Sequence, residues 1–200
     1  MKERPILFQS EMVRALLDGR KTQTRRDRYL KNINESPDYR LTWQGISGGV
    51  FGVRFDRPRK TIFIPSPYGA PGDHLWVRET FCIGHFNEII YRATEPDQGC
   101  SHPEDMSPWK PSIFMPRRES RITLEITSVR VERLQDITED DAKAEGVTIG
   151  GTKFDHPSIS NEEEYGRACG FAYKDLWEKI NGKGSWDKNP WVWAITFKKL

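Results

Sequence analysis

Within Gly19-Arg20-Lys21-Thr22-Gln23-Thr24-Arg25-Arg26, a lysine amine and a threonine hydroxyl stand three residues apart in a cationic run. A threonine hydroxyl is a poor nucleophile until an adjacent base takes its proton. A lysine serves as that base when desolvation or positive neighbours lower its pKa. Arg20, Arg25 and Arg26 supply such neighbours. Hydrolysis of an amide needs a nucleophile, a group to accept its proton and a donor for the leaving amine. Geometry sets a condition, because residues three apart face opposite sides of a strand. Lys21 and Thr24 can cooperate only where the backbone turns, as it does after a helix end. Glu145 falls in the last turn of a predicted helix, where its charge opposes the helix dipole. Such a placement marks a candidate, although surface acids land there too.

Two other constellations bear on chemistry. Cys82 and His85, with Cys100 and His102, are ligand types that zinc accepts, but the one-residue spacing of the second pair is not a chelating knuckle. The reading is therefore reduced thiols at Cys82, Cys100 and Cys169, with no metal and no cofactor. Basic residues cluster at 20–31, where six face Asp27 alone, at Arg54, Arg57, Arg59 and Lys60, and at Arg117, Arg118 and Arg121. Each run taken alone reads as a solvated face; interleaved with aromatics, the runs suit phosphate. The expectation is one positive concavity formed by Arg20, Lys21, Arg25 and Arg26 with Arg117 or Arg118. Of the seven tryptophans, Trp76, Trp177, Trp191 and Trp193 fall on predicted elements and read as core. Trp43 and Trp109 fall in predicted loops and are candidates for base stacking. Asp73, Arg78 and Glu79 read equally as cavity polars or as a structural ion-pair set.

The elements that must position these residues follow from pattern. Ile6-Leu7-Phe8 is a short strand. Residues 10–18 form an amphipathic helix with Ser10 as N-cap and Gly19 closing it, so the cationic run begins at the helix end. Residues 49–55 and 60–64 read as a hairpin, and 74–81 as a strand after the turn Pro71-Gly72-Asp73. A further strand is expected at 88–93. Over 121–134, apolar residues alternate on one parity through Ile126 and on the other from Val129, which predicts a bulge at Thr127-Ser128. Thr138 caps a short helix that Gly146 ends. Residues 147–162 read as loop, 171–180 as a helix ended by Gly182, and 191–197 as a strand buried on both faces.

A chain of 200 residues with 36% hydrophobic and 30% charged residues is one α+β domain with a core of its own. A net charge of +2 says little about partners. No apolar run reaches the ~20 residues of a membrane span, and the N-terminus lacks the apolar segment of a signal peptide. A cytoplasmic location without a membrane partner is expected. The strands lack regular βαβ alternation, which favours a small, partly closed barrel flanked by helices.

The stretch Gly19 to Arg26 after a short helix resembles the signature of the ASCH family, part of the PUA-like superfamily. Pro71-Gly72-Asp73-His74-Leu75-Trp76-Val77, Ile137 through Gly146, and Trp193–Leu200 resemble that family's subsequent elements in order. The resemblance covers about half the chain and leaves 31–70, 84–116 and 148–170 as insertions; the start and end also look like ASCH-like proteins of prophages. It implies a mostly antiparallel, PUA-like β-barrel with short flanking helices and loop insertions. Gly19–Thr24 is further similar to the motif of bacterial N4-acetylcytidine amidohydrolases. That similarity implies Lys21, Thr24 and Glu145 as catalytic residues, with Glu139 and its acidic neighbours competing for the carboxylate role. The implied function is a hydrolase acting on an N-acylated pyrimidine nucleoside. A PUA-like module that binds RNA or a modified base, a metal-independent ribonuclease and an accessory interaction role stay open beside it. An enzyme requires the three side chains in one pocket; a reader requires an open groove lined by Arg and Trp.

Overall fold

A computed structural model describes residues 1–36, 38–47, 50–84, 86–95, 108–147 and 162–200. Five strands make the central sheet: β1 (Glu3–Leu7), β2 (Gln23–Arg26), β6 (His74–Arg78), β9 (Thr123–Arg133) and β10 (Trp191–Lys199). Their order is β1-β6-β9-β10-β2, antiparallel throughout except for the parallel β1–β6 pair. The fold is thus α+β and mostly antiparallel. The expected barrel ladder does not close among the described residues, since β1 and β2 are its edges. The sheet nevertheless curls. Arg26 on β2 reaches Leu7 on β1 with a 2.7 Å hydrogen bond from Nη2 to the Leu7 carbonyl.

Both strongly alternating segments lie side by side in this sheet, as their apolar character requires. The phase change in β9 is a bulge: Thr196 pairs with Ser128 and Phe197 with Ile126, leaving Thr127 without an opposite residue. Thr127 and Ser128 are both exposed, and the core-facing set resumes at Val129.

A second sheet of β3 (Arg40–Ser47), β4 (Val50–Arg57) and β5 (Lys60–Pro65) packs its Phe51, Val53 and Phe55 face into the main core, against Trp191 and Trp193. The expected hairpin is therefore a three-stranded ribbon. It places Trp43 on a strand, not in a loop. Gly45 and Gly52 disguise this pairing, because two glycines face one another across the β3–β4 ladder. A two-stranded pair, β7 (Phe81–Ile83) with β8 (Ile89–Tyr91), follows β6.

Helix α1 (Ser10–Leu17) buries Val13, Ala15 and Leu16. Its N-cap is Gln9, one residue before the expected Ser10, and no side chain caps it. Helix α2 (Lys31–Asn34) is short and was not expected. Helix α3 (Glu139–Ala144) is capped as predicted, with the Thr138 hydroxyl accepting from the Asp141 N–H. Helix α4 (Glu162–Asn181) begins nine residues before the expected start. Gly166 obscured that first half, and it has a packing reason: a Cβ there would come within 2.2 Å of the Glu139 carboxylate on α3. Leu134, Ala142, Cys169, Tyr173, Trp177 and Val192 form a second core joining α3 and α4 to the sheet. No helix among the described residues is long and apolar enough to cross a membrane. The loop expected over 147–162 and most of the 84–116 insertion lie outside the described residues.

Candidate active site

The loop after α1 is fixed by backbone hydrogen bonds on both sides. Lys21 N–H donates to Ala15 O of α1 at 2.9 Å, and Thr22 N–H donates to Ala144 O of α3 at 2.8 Å. Gly146 permits this close fit. It has φ +80°, and a Cβ there would lie 2.8 Å from Lys21 Cβ and 2.9 Å from Ala15 Cβ. The motif lysine and the residue that ends α3 are thereby pressed together.

Lys21 points inward. Its Nζ donates to the Glu145 carbonyl at 2.7 Å and to Glu145 Oε2 at 2.8 Å. Only 1% of the Lys21 side chain and 4% of the Glu145 side chain are exposed. The Phe8 ring stands 5.5 Å from Nζ. Burial holds the Lys21 amine below its ordinary value, against the opposing pull of the Glu145 charge; Arg25 and Arg26 push in the same direction as burial. Burial therefore favours the neutral amine, the form that can accept a proton.

Glu145 is bridged on its other oxygen by Arg25, whose Nη1 lies 3.3 Å from Oε1. Arg25 is fully buried and spends its remaining donors on Glu132, Asp141 and Gln23, at 2.6–3.0 Å. Arg130 binds Glu132 and Asp141 in turn, each at 2.6 Å. Burial would raise the Asp141 carboxyl, but Arg25, Arg130 and the Gln23 amide hold it below its usual range.

A cavity of about 350 Å3 opens at this corner, within the range of small-molecule sites. It lies in the gap between the two edges of the curled sheet. Leu7 and Phe8 line one side, and Thr24, Arg25 and Arg26 the other, with Lys21 and Glu145 also in the wall. Helix α4 adds Tyr173, Leu176, Trp177, Ile180 and Asn181 to the wall. Burial and then the negative charge of Glu145 push the Tyr173 phenol well above its ordinary value, so its hydroxyl stays protonated.

The structure therefore brings Lys21, Thr24 and Glu145 to one cavity. Glu139, the competing acid, is exposed and faces Gly166 of α4 instead. The expected shared positive concavity does not form. Arg20 binds the Gly146 carbonyl and Asp18 and lines a different cleft, with Glu11 and Arg14. Arg25 is committed to three carboxylates. Arg117 pairs with Glu3 at 2.9 Å, and Arg118, its side chain 83% exposed, pairs with Glu119. Both sit in a 3-10 turn (Arg117–Glu119) at the entry to β9, and neither lines the cavity. Trp109 is in a loop as expected, half-buried, with the Arg92 guanidinium 6.0 Å away, and lies outside the cavity wall as well. Of the basic motif residues, Lys21, Arg25 and Arg26 reach the cavity.

Asp73 and Glu79 are structural. Asp73 accepts from Lys2 N–H, Ala70 N–H and Arg4, and buried Glu79 holds Arg121 through two 2.9 Å bonds. Of the zinc constellation, His85, Cys100 and His102 lie outside the described residues, while Cys82 is buried in β7. Sequence reasoning missed Phe8, Tyr173 and Glu132 as parts of the site and reached Asp141 only as an acidic neighbour of Glu139. The signal that points to such acids is burial of an arginine, which demands carboxylates around it. No family model, curated protein or solved structure matches this chain.

Proposed function

We propose that the chain is an ASCH-type hydrolase of PUA-like fold, working in the cytoplasm on an N-acylated pyrimidine nucleoside. The observation that carries the reading is the Lys21–Glu145 ion pair, buried in the wall of a cavity that Thr24 also lines. This convergence is what amide hydrolysis asks for, and it favours catalysis over a reader with an open groove. Phe8, Tyr173 and Trp177 give the cavity aromatic walls suited to a nucleobase.

In this reading Thr24 Oγ1 attacks the acyl carbon and loses its proton to a neutral Lys21. The C–O bond forms as the acyl oxygen takes up negative charge. The C–N bond then breaks, and the proton returns through the Lys21–Glu145 pair to the departing exocyclic amine. Water attacks the threonine ester in the second half, releasing the carboxylic acid and restoring the hydroxyl. Arg25 holds the Glu145 carboxylate in register from its other oxygen.

The test is to trap the ester. Wild-type protein mixed rapidly with N4-acetylcytidine and quenched in acid should carry one acetyl group on the peptide containing Thr24, read by mass spectrometry. Thr24→Ser should retain part of the turnover and Thr24→Val should lose it, because only the former keeps a hydroxyl. Turnover by Thr24→Val at the wild-type rate would exclude Thr24 as the nucleophile.

A further inference from the structure

The outer face of the β3-β4-β5 ribbon carries aromatic rings beside a guanidinium group. Trp43, Arg54 and Phe63 occupy one cross-strand row, and Gly45, Gly52 and Pro65 the next row on the same face. The two rings lean over the glycines. A Cβ on Gly52 would lie 2.4 Å from Phe63 Cζ, and one on Gly45 would lie 3.0 Å from Trp43 Cζ2. The glycines are thus seats that let Trp43 and Phe63 meet at 6.3 Å between ring centres. Phe63 is 43% exposed, an uncommon state for a phenylalanine placed with such care. The Arg54 guanidinium lies 5.9 Å from the Trp43 ring.

The platform continues past the β5 edge. A cleft of about 370 Å3 runs from Phe63 to Tyr29, a residue 60% exposed, held at φ +65° and covered by the Arg28 guanidinium at 4.9 Å. Tyr29 stands two residues beyond Asp27, which lines the Lys21 cavity. The surroundings are cationic: Arg40, Arg54, Arg57, Arg59 and Lys60 are all exposed, and Asp56 is the one acid between residues 40 and 65. Aromatic rings beside guanidinium groups, exposed at Phe63 and Tyr29 and half-buried at Trp43, are spaced along a positive surface and match the bases and phosphates of an unpaired strand. A duplex would offer phosphates alone, because its bases are stacked on one another.

We infer that this face binds single-stranded nucleic acid, with bases stacked on Trp43, Phe63 and Tyr29 and phosphates held by Arg54 and its basic neighbours. The site is separate from the Lys21 cavity, and its test reads binding, so it stands or falls apart from the hydrolase reading.

The experiment is fluorescence anisotropy of the full chain with labelled 12-nucleotide strands of mixed sequence, as RNA, as DNA and as the DNA duplex. Both single strands should bind with similar affinity, falling as salt rises, and the duplex should bind about tenfold or more weakly. Trp43→Leu and Phe63→Leu keep apolar cover over the glycines but remove the π-face; each should weaken single-strand binding roughly tenfold with an unchanged Tm. Arg54→Gln, exposed and outside the core, should lower the salt dependence by about 0.7 in log–log slope. Absence of single-strand binding at low salt, equal affinity for the duplex, a strong preference for RNA over DNA, or wild-type binding by both leucine variants would each overturn the inference. The last result would leave the rings as mere cover for Gly45 and Gly52.

Discussion

Lys21 and Arg25 are both buried, both bound to Glu145 and four residues apart, yet their corners of the site are built for opposite ends. Arg25 meets three carboxylates and a glutamine oxygen, so every direction in which its fork points is answered. Its charge is permanent, and its ring of acids makes it a tether among β2, β9 and the α3 end. Lys21 meets one carboxylate and one carbonyl and is pressed against Phe8. Burial weakens its hold on its proton. The difference teaches that a buried cation with saturated partners holds structure, while one with few partners at a cavity wall is available for proton transfer.

The comparison breaks most visibly on removal of Arg25. Arg25→Met leaves Glu132, Asp141 and Glu145 crowded together with only Lys21 and Arg130 to answer them. It should cost about 3–5 kcal/mol in urea unfolding. Lys21→Met, in contrast, removes a buried charge and leaves Glu145 with Arg25. Its stability should fall by no more than about 1 kcal/mol, while turnover of an N-acyl nucleoside drops by ~10²–10⁴-fold. Equal losses of stability in the two variants would erase the distinction between tether and base.

pH separates the two corners next. Lys21 has a folded pKa below its ordinary 10.5. Between those two values the unfolded chain holds the proton and the folded chain does not, so stability at this residue rises with pH through that window. Activity should rise as pH passes through the folded value, where the amine becomes neutral, and level off above it. Asp141 gives the same sign of slope, but in a separate, acid window. Its lowered pKa contributes stability that is complete above the ordinary carboxylate range and is lost as pH falls through the folded value. Thermal melts in acid should therefore show a loss that Asp141→Asn reduces, with Asp73 supplying part of what remains, and that Lys21→Met leaves in place. A smaller effect is expected from Thr138→Ala, which removes the cap on the Asp141 N–H and should cost about 1 kcal/mol by denaturant titration.

The two corners were not equally legible in the sequence. Lys21, Thr24 and Glu145 stood out because a motif and a helix end marked them, and the elements holding them read from alternation and capping. The Thr127 bulge was visible as a parity switch in β9. Arg25 lines the cavity, but its carboxylate partners are not legible, because a run of arginines looks solvated and a strand's parity says which face a residue takes but not what lies opposite. Glu132 and Asp141 come from 107 and 116 residues further along the chain, a separation that no local pattern encodes. Trp43 was placed in a loop because its neighbouring glycines mimic turn signals, whereas here they seat aromatic rings. The first half of α4 escaped because Gly166 interrupts the helical pattern for the sake of packing on Glu139. Phe8 reads only as the end of a short strand and Tyr173 only as one residue of a helix, and the curl of the sheet is what reveals them as cavity walls.

The central claim is that Lys21 is a proton-transfer base in the cavity and not a second structural cation. The measurement that meets it most directly is the rate at which wild-type and Lys21→Met proteins, both verified as folded, release acetate from N4-acetylcytidine over the whole pH range in which both stay folded. The account predicts wild-type turnover that climbs as pH rises and a Lys21→Met rate at background throughout. A Lys21→Met protein that keeps the wild-type rate and the wild-type pH profile, or a wild type without turnover, would contradict it.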